Sequence, residues 1–140
     1  MDTERIEKAA TLFAEGFNCS QAVVAAYATE YGFTQEQCFK MAASFGGGIG
    51  RMRETCGAAC GLFLLAGLKT GATVGSDTTS KMNNYATVKK LADRFIEENG
   101  ALRCEDILSL AREGKCAVPC VERVRSAARL WEEYCIENDK

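Results

Sequence analysis

Phe45–Thr70 reads FGGGIGRMRETCGAACGLFLLAGLKT, and its reading decides the fold. A run of glycines with two arginines leads directly into an apolar stretch that opens with a cysteine. Glycine tolerates positive φ and allows close backbone approach, so Gly46, Gly47, Gly48 and Gly50 predict a tight loop. The apolar stretch that follows reads as a helix, and Cys56 falls at its first turn. Exposed N–H groups and the positive end of the helix dipole favour an anion at that place. With Arg51 and Arg53 close in sequence, these conditions stabilise a thiolate. Thiol chemistry centred on Cys56 is therefore expected.

The rest of the chain reads as helices packed around that one. Asp2 or Thr3 caps a first helix, with Ile6, Ala9, Ala10, Phe13 and Phe17 at helical spacing and Gly16 near its end. Asn18 caps a second helix from Cys19 to about Tyr31, which Gly32 stops. Thr34 and Gln37 form a capping box for a third, whose apolar face holds Cys38, Met41, Ala42 and Phe45. After the central helix, residues 71–76 read as a linker, and Ser76 or Asp77 caps a long helix to Asn99. Its inward residues are predicted to be Met82, Tyr85, Val88, Ala92, Phe95 and Ile96, with Gly100 closing it. A short helix begins near Cys104, and residues 113–115 form a loop. Pro119 starts a last helix, with Cys120, Val124, Ala127, Trp131 and Tyr134 on one face. No segment alternates convincingly as a strand. The expected fold is all-α: a single domain over residues 1–140, built as a compact bundle of about six or seven helices.

Composition narrows the function. A net charge of −2 supplies no broad basic patch, which argues against nucleic acid and anionic lipid as partners. The longest apolar stretch, Ala58–Leu68, falls short of the roughly 20 residues of a membrane span. The N-terminal MDTERIEKAATLF is charged and amphipathic and has no secretory core, so a cytoplasmic location is expected. The chain has eight cysteines and no histidine, which excludes Cys–His dyads and Cys/His zinc sites. Cysteines in such a chain point to catalysis or metal binding before structural disulfides.

Four of the eight cysteines, Cys19, Cys56, Cys104 and Cys120, lie within a turn of a predicted helix start. One such cysteine is ordinarily core filling, but four in the same local setting point to a shared site. Cys56/Cys60 and Cys116/Cys120 are spaced C-x-x-x-C, which on a helix places both sulfurs on one face. Pro119 interrupts the second pair, and Cys38 and Cys135 lie on apolar faces and read as core. The glycine loop matches neither nucleotide fingerprint, G-x-x-x-x-G-K-[ST] nor G-x-G-x-x-G. An anion could still sit at the helix start beside Arg51 and Arg53. Gly57, Ala58 and Gly61 permit close packing against a neighbouring helix, which would bring Cys56 near another element's cysteine.

The central element Cys56-Gly57-Ala58-Ala59-Cys60-Gly61, preceded by FGGGIGRMRET, resembles that of the C-GCAxxG-C-C family, which is labelled redox-active for its four cysteines. In that resemblance the first cysteine is Cys19 in FNCSQAV, the third Cys104 in LRCEDIL and the fourth Cys120 in CVERVRSAA. It runs from about residue 10 to 130. It implies redox activity carried by these four cysteines and, in some members, a bound iron–sulfur cluster. Cys38, Cys60, Cys116 and Cys135 lie outside the pattern.

Three readings follow. In the first, Cys56 is the attacking thiolate of a thiol–disulfide redox protein, a thiol-based oxidoreductase, and Cys19, Cys104 or Cys120 resolves the mixed disulfide. Its counterpart would be a redox partner or a small molecule, and a homodimer is allowed without being required. In the second, Cys19, Cys56, Cys104 and Cys120 ligate a metal, either an iron–sulfur cluster for electron transfer or zinc as a structural ion. In the third, the cysteines are core filler in a helical binding domain.

Overall fold

A computed structural model describes residues 1–115 and 118–139. Among them are seven α-helices and no strand: α1 Thr3–Ala14, α2 Cys19–Tyr27, α3 Gln35–Ala42, α4 Gly57–Thr70, α5 Thr78–Asn99, α6 Cys104–Arg112 and α7 Cys120–Asn138. None is long and apolar enough to cross a membrane.

Local chemistry accounts for where most of them begin. The Asp2 carboxylate accepts from the Arg5 N–H at the start of α1. Asn18 with Gln21, and Thr34 with Gln37, form reciprocal capping boxes at α2 and α3. Asp77 accepts from the Ser80 N–H at α5. Pro119 is the N-cap of α7, one place before the first helical residue, and Cys120 opens the helix.

Two elements are shorter than their pattern predicts. The second helix ends at Tyr27 and tightens into a 3₁₀ turn over Ala28–Tyr31, with Gly32 left-handed beyond it. The third gives way to a 3₁₀ turn, Ala43–Phe45, at the glycine run. Tightened last turns use i→i+3 bonds to satisfy carbonyls that lack an α-helical partner.

The core lies between α2 and α4, with α1, α5 and α7 packed around them. Val23, Val24, Tyr27, Leu62, Leu65, Leu91, Phe95, Ile107, Val124 and Trp131 fill it. Small residues set the spacing of the central pair: a Cβ on Gly61 would stand 3.1 Å from Val23 Cβ and 3.2 Å from the Ser20 carbonyl oxygen. Phe17 stacks on Phe39 with centroids 3.9 Å apart, tying the end of α1 to α3.

The inward face of α5 matches the expected one only in part: Phe95 is buried and Val88 packs against the core. Leu91, Phe95 and Asn99 are buried, whereas Met82, Tyr85 and Ile96 are exposed. The reason is a polar contact. Asn84 Nδ2 donates to the Ala66 carbonyl at 3.2 Å and to Thr70 Oγ1 at 3.0 Å, at the end of α4. Docking Asn84 onto α4 sets the rotation of α5 and turns Met82 and Tyr85 outward. At the other end, Asn99 Nδ2 donates to Ser126 Oγ on α7 at 3.0 Å.

Candidate functional site

Two chain segments far apart in sequence meet in front of α4 and α6. Cys56 N–H donates to the Leu102 carbonyl at 2.8 Å, Cys104 N–H to that of Glu54, and Glu105 N–H to that of Arg53 at 3.0 Å. This one-residue antiparallel bridge pairs Thr55 with Arg103. Each paired residue is followed at once by a cysteine, so the bridge sets Cys56 and Cys104 side by side at two helix starts.

The start of α2 joins them through a missing side chain. A Cβ on Gly57 would lie 2.5 Å from Cys19 Sγ and 2.6 Å from the Phe45 carbonyl oxygen. Only glycine leaves room there, so the first residue of α4 lies against the sulfur on the first residue of α2.

The glycine run is a left-handed turn. Gly47, Gly48, Ile49, Gly50 and Arg51 all have φ between 57° and 73°, and Arg53 has φ 62°. Its N–H groups reach far back along the chain: Arg51 to the Gly46 carbonyl, Arg53 to Gly47 and Glu54 to Gly48, at 2.9–3.2 Å. Left-handed geometry costs roughly 1–2 kcal/mol at each non-glycine residue, so Ile49, Arg51 and Arg53 are strained positions.

The result is a cleft of about 670 Å³ whose lining includes Cys19, Cys56, Cys104, Cys120, Arg51 and Arg53. All four cysteines and both arginines singled out in the sequence border one space. Each of the cysteines is the first residue or the N-cap of a helix. Four positive helix ends therefore face the cleft.

Cys56 is 2% exposed and is the N-cap of α4. The Cys19 thiol donating to its sulfur is the main cause that holds its pKa well below the usual thiol range, at about 6. Burial works against this, while the Ala58 and Ala59 N–H groups and the Arg123 guanidinium reinforce it. Cys19 moves the opposite way: its bond to Cys56 and its burial raise it far above the ordinary value. The two shifts run in opposite directions, which favours the thiolate on Cys56 and the thiol on Cys19.

Arg123 is the residue that sequence reasoning missed. It lies on α7, is 4% exposed, and lines the cleft. Its Nη1 is 3.9 Å from Cys56 Sγ, its Nη2 3.2 Å from Cys120 Sγ, and its Nε donates to the Val118 carbonyl at 3.0 Å. Among the described residues no carboxylate pairs with it. A buried guanidinium needs acceptors for its N–H groups, and Cys56 Sγ, Cys120 Sγ and the Val118 carbonyl supply them. The available signal was the C-x-x-R spacing of Cys120 and Arg123, which shares a helix face.

The arginine assignment changes accordingly. Arg53, expected beside Cys56, instead places Nη1 3.9 Å from Cys104 Sγ. The bond from the Glu105 N–H to its carbonyl anchors it at the start of α6. Arg51 lines the cleft from its exposed edge.

The remaining described cysteines, Cys38, Cys60 and Cys135, stand apart from the cleft lining. Cys60, four residues past Cys56, turns its thiol toward the Thr55 carbonyl at 3.7 Å, and burial pushes its pKa up to about 11. Cys38 is buried in the core, and Cys135 is half-buried near Lys69. Cys116 lies outside the described residues. The seven described cysteines are free thiols. As a donor set, four thiolates suit iron–sulfur or zinc ligation. Among the described residues, however, no three His, Cys, Asp or Glu side chains are grouped so as to hold a metal ion.

Residues 17–134 match the model of a family described as Putative redox-active protein (C_GCAxxG_C_C). No curated protein and no solved structure matches the chain.

Proposed function

The chain belongs to the C_GCAxxG_C_C family, and on that premise we propose that it is a thiol–disulfide redox protein in which Cys56 attacks and Cys19 resolves. One observation carries the reading: the backbone of Gly57, the residue after Cys56, lies against Cys19 Sγ, so both sulfurs border one cleft, where their interaction shifts Cys56 toward the thiolate and Cys19 toward the thiol.

The Cys56 thiolate attacks one sulfur of an external disulfide. That disulfide breaks, its other sulfur leaves as a thiolate and takes a proton from water, and a mixed disulfide forms on Cys56. A thiol with a pKa near 6 is almost fully ionised at neutral pH and still nucleophilic. Capping Cys56 then removes the charge and the hydrogen bond that keep Cys19 protonated. The Gly47 N–H, which favours the Cys19 thiolate, remains. Cys19 is thereby activated only when there is a mixed disulfide to resolve. It attacks the Cys56 sulfur, a Cys19–Cys56 disulfide forms, and the second thiol leaves. Two electrons have passed from the protein dithiol to the external disulfide. Arg123 compensates the negative charge on Cys56 in the resting state and is released from that duty as the charge leaves.

Mass spectrometry of the reduced protein mixed with a disulfide tests this. The wild type should end as an intramolecular disulfide, and Cys19→Ser should stall as a mixed disulfide on Cys56. Cys56→Ser should form neither; unchanged exchange in that variant would overturn the assignment. Stoichiometric iron or zinc in protein purified without oxygen would replace this reading by metal ligation at Cys19, Cys56, Cys104 and Cys120.

A further inference from the structure

We propose that the disulfide Cys56 reduces is a small anionic one, the disulfide of a low-molecular-weight thiol that bears carboxylates, bound in the cleft by Arg51 and Arg53. The proposal rests on the thiol–disulfide reading and adds the substrate class.

Charge is the first argument. The cleft lining contains three arginines and no aspartate, glutamate or lysine among the described residues. Arg123 is committed to Cys56, Cys120 and the Val118 carbonyl. Arg51 and Arg53 are exposed, and among the described residues neither forms an ion pair with a carboxylate; Arg53 Nη1 makes one long contact, 3.9 Å to Cys104 Sγ, which leaves its other N–H donors for a ligand. Four helix N-termini add their positive ends to the same space. A cationic molecule would meet unrelieved repulsion there, whereas a dicarboxylate would find bidentate donors.

Backbone strain is the second. Arg51 and Arg53 keep left-handed backbone geometry, with φ 64° and 62°, in which glycine would be unstrained. The arginine side chains are therefore held at a conformational cost on the rim of the cleft, the pattern of strain kept at a binding site.

Size and access are the third. A volume of about 670 Å³ falls within the roughly 300–1,000 Å³ of small-molecule sites. Cys56, 2% exposed, sits in the floor and not on a protruding surface. So buried a sulfur in a cleft of this volume favours a small flexible disulfide over one held in the surface of a folded protein.

The test compares three disulfides on the reduced protein: anionic glutathione disulfide, uncharged 2-hydroxyethyl disulfide and cationic cystamine. Mixed-disulfide formation at Cys56 is followed by mass spectrometry. Relative to the uncharged compound, glutathione disulfide should react about tenfold faster at low salt and cystamine slower, the gap narrowing as salt rises. Arg51→Gln with Arg53→Gln should collapse the anion-to-cation ratio, and Lys40→Gln, a cation remote from the cleft, should keep it. Equal rates for the three compounds, or a ratio that survives the double arginine substitution, would overturn the substrate class and leave the thiol–disulfide reading standing. If none of the three reacts at Cys56, the thiol–disulfide reading falls. Calorimetric titration with S-methylglutathione, which has no disulfide to exchange, then decides for the cleft: binding lost in the double arginine variant upholds the anion site, and no binding overturns it.

Discussion

Cys56 and Arg123 show at the scale of single residues how a buried charge pair tunes a thiol. Neither is stable alone in its surroundings: the thiolate needs donors and the guanidinium needs negative charge. Alkylation of Cys56 by iodoacetamide should titrate with a midpoint near pH 6, and Arg123→Gln should move that midpoint upward. The same pair couples folding to pH. Between about 6 and the ordinary thiol value of about 8.5, the unfolded chain keeps both protons and the folded Cys19–Cys56 pair keeps one. Stability of the reduced protein should therefore rise with pH across that window, as required when the unfolded state binds more protons. Above it the slope reverses, because Cys19 keeps its proton in the folded chain while both sulfurs ionise in the unfolded one. Melting temperatures measured against pH should show the rise in the wild type and lose it in Cys56→Ser.

At the scale of elements, the site depends on two backbone features with opposite steric demands. In the left-handed turn, side chains stand where glycine would be relaxed. Arg51→Gly should consequently be more stable than Arg51→Ala by about 1 kcal/mol, although both remove the guanidinium; denaturant melts of the two variants check this. At the start of α4 a side chain has no room. Gly57→Ala should destabilise the fold by about 1–3 kcal/mol by pressing on Cys19 Sγ and the Phe45 carbonyl. It should also raise the Cys56 midpoint by shifting the thiol that donates to it, which the alkylation profile reads separately from stability. The helix starts themselves were legible in the sequence. Asn18, Thr34 and Asp77 act on groups within three residues, so a local pattern contains the whole interaction. The rotation of α5 was legible only in part. Apolar spacing favoured Met82, Tyr85, Val88, Ala92, Phe95 and Ile96; Phe95 is buried and Val88 packs on the core, but with Asn84 bonded to the end of α4 the helix leaves Met82, Tyr85 and Ile96 exposed.

For the whole molecule, the Thr55–Arg103 bridge is the long-range join that assembles the cleft, since it ties the approach to α4 to the approach to α6. The amides of Cys56 and Cys104, which donate across it, should exchange with deuterium as slowly as core helical amides, despite lying at helix starts. Fast exchange at both would mean that the cleft opens independently of the core. The sequence by itself determined that the protein is all-α, where its helices begin, and that Cys19, Cys56, Cys104 and Cys120 sit at those beginnings, because each of these depends on residues within a turn of one another. Only the tertiary structure decided that the four sulfurs share one cleft, that Cys19 Sγ lies against Gly57 beside Cys56, and that Arg123, 67 positions from Cys56, is the guanidinium beside it. Those relations are made by helix packing and one backbone bridge, so no local periodicity or spacing encodes them.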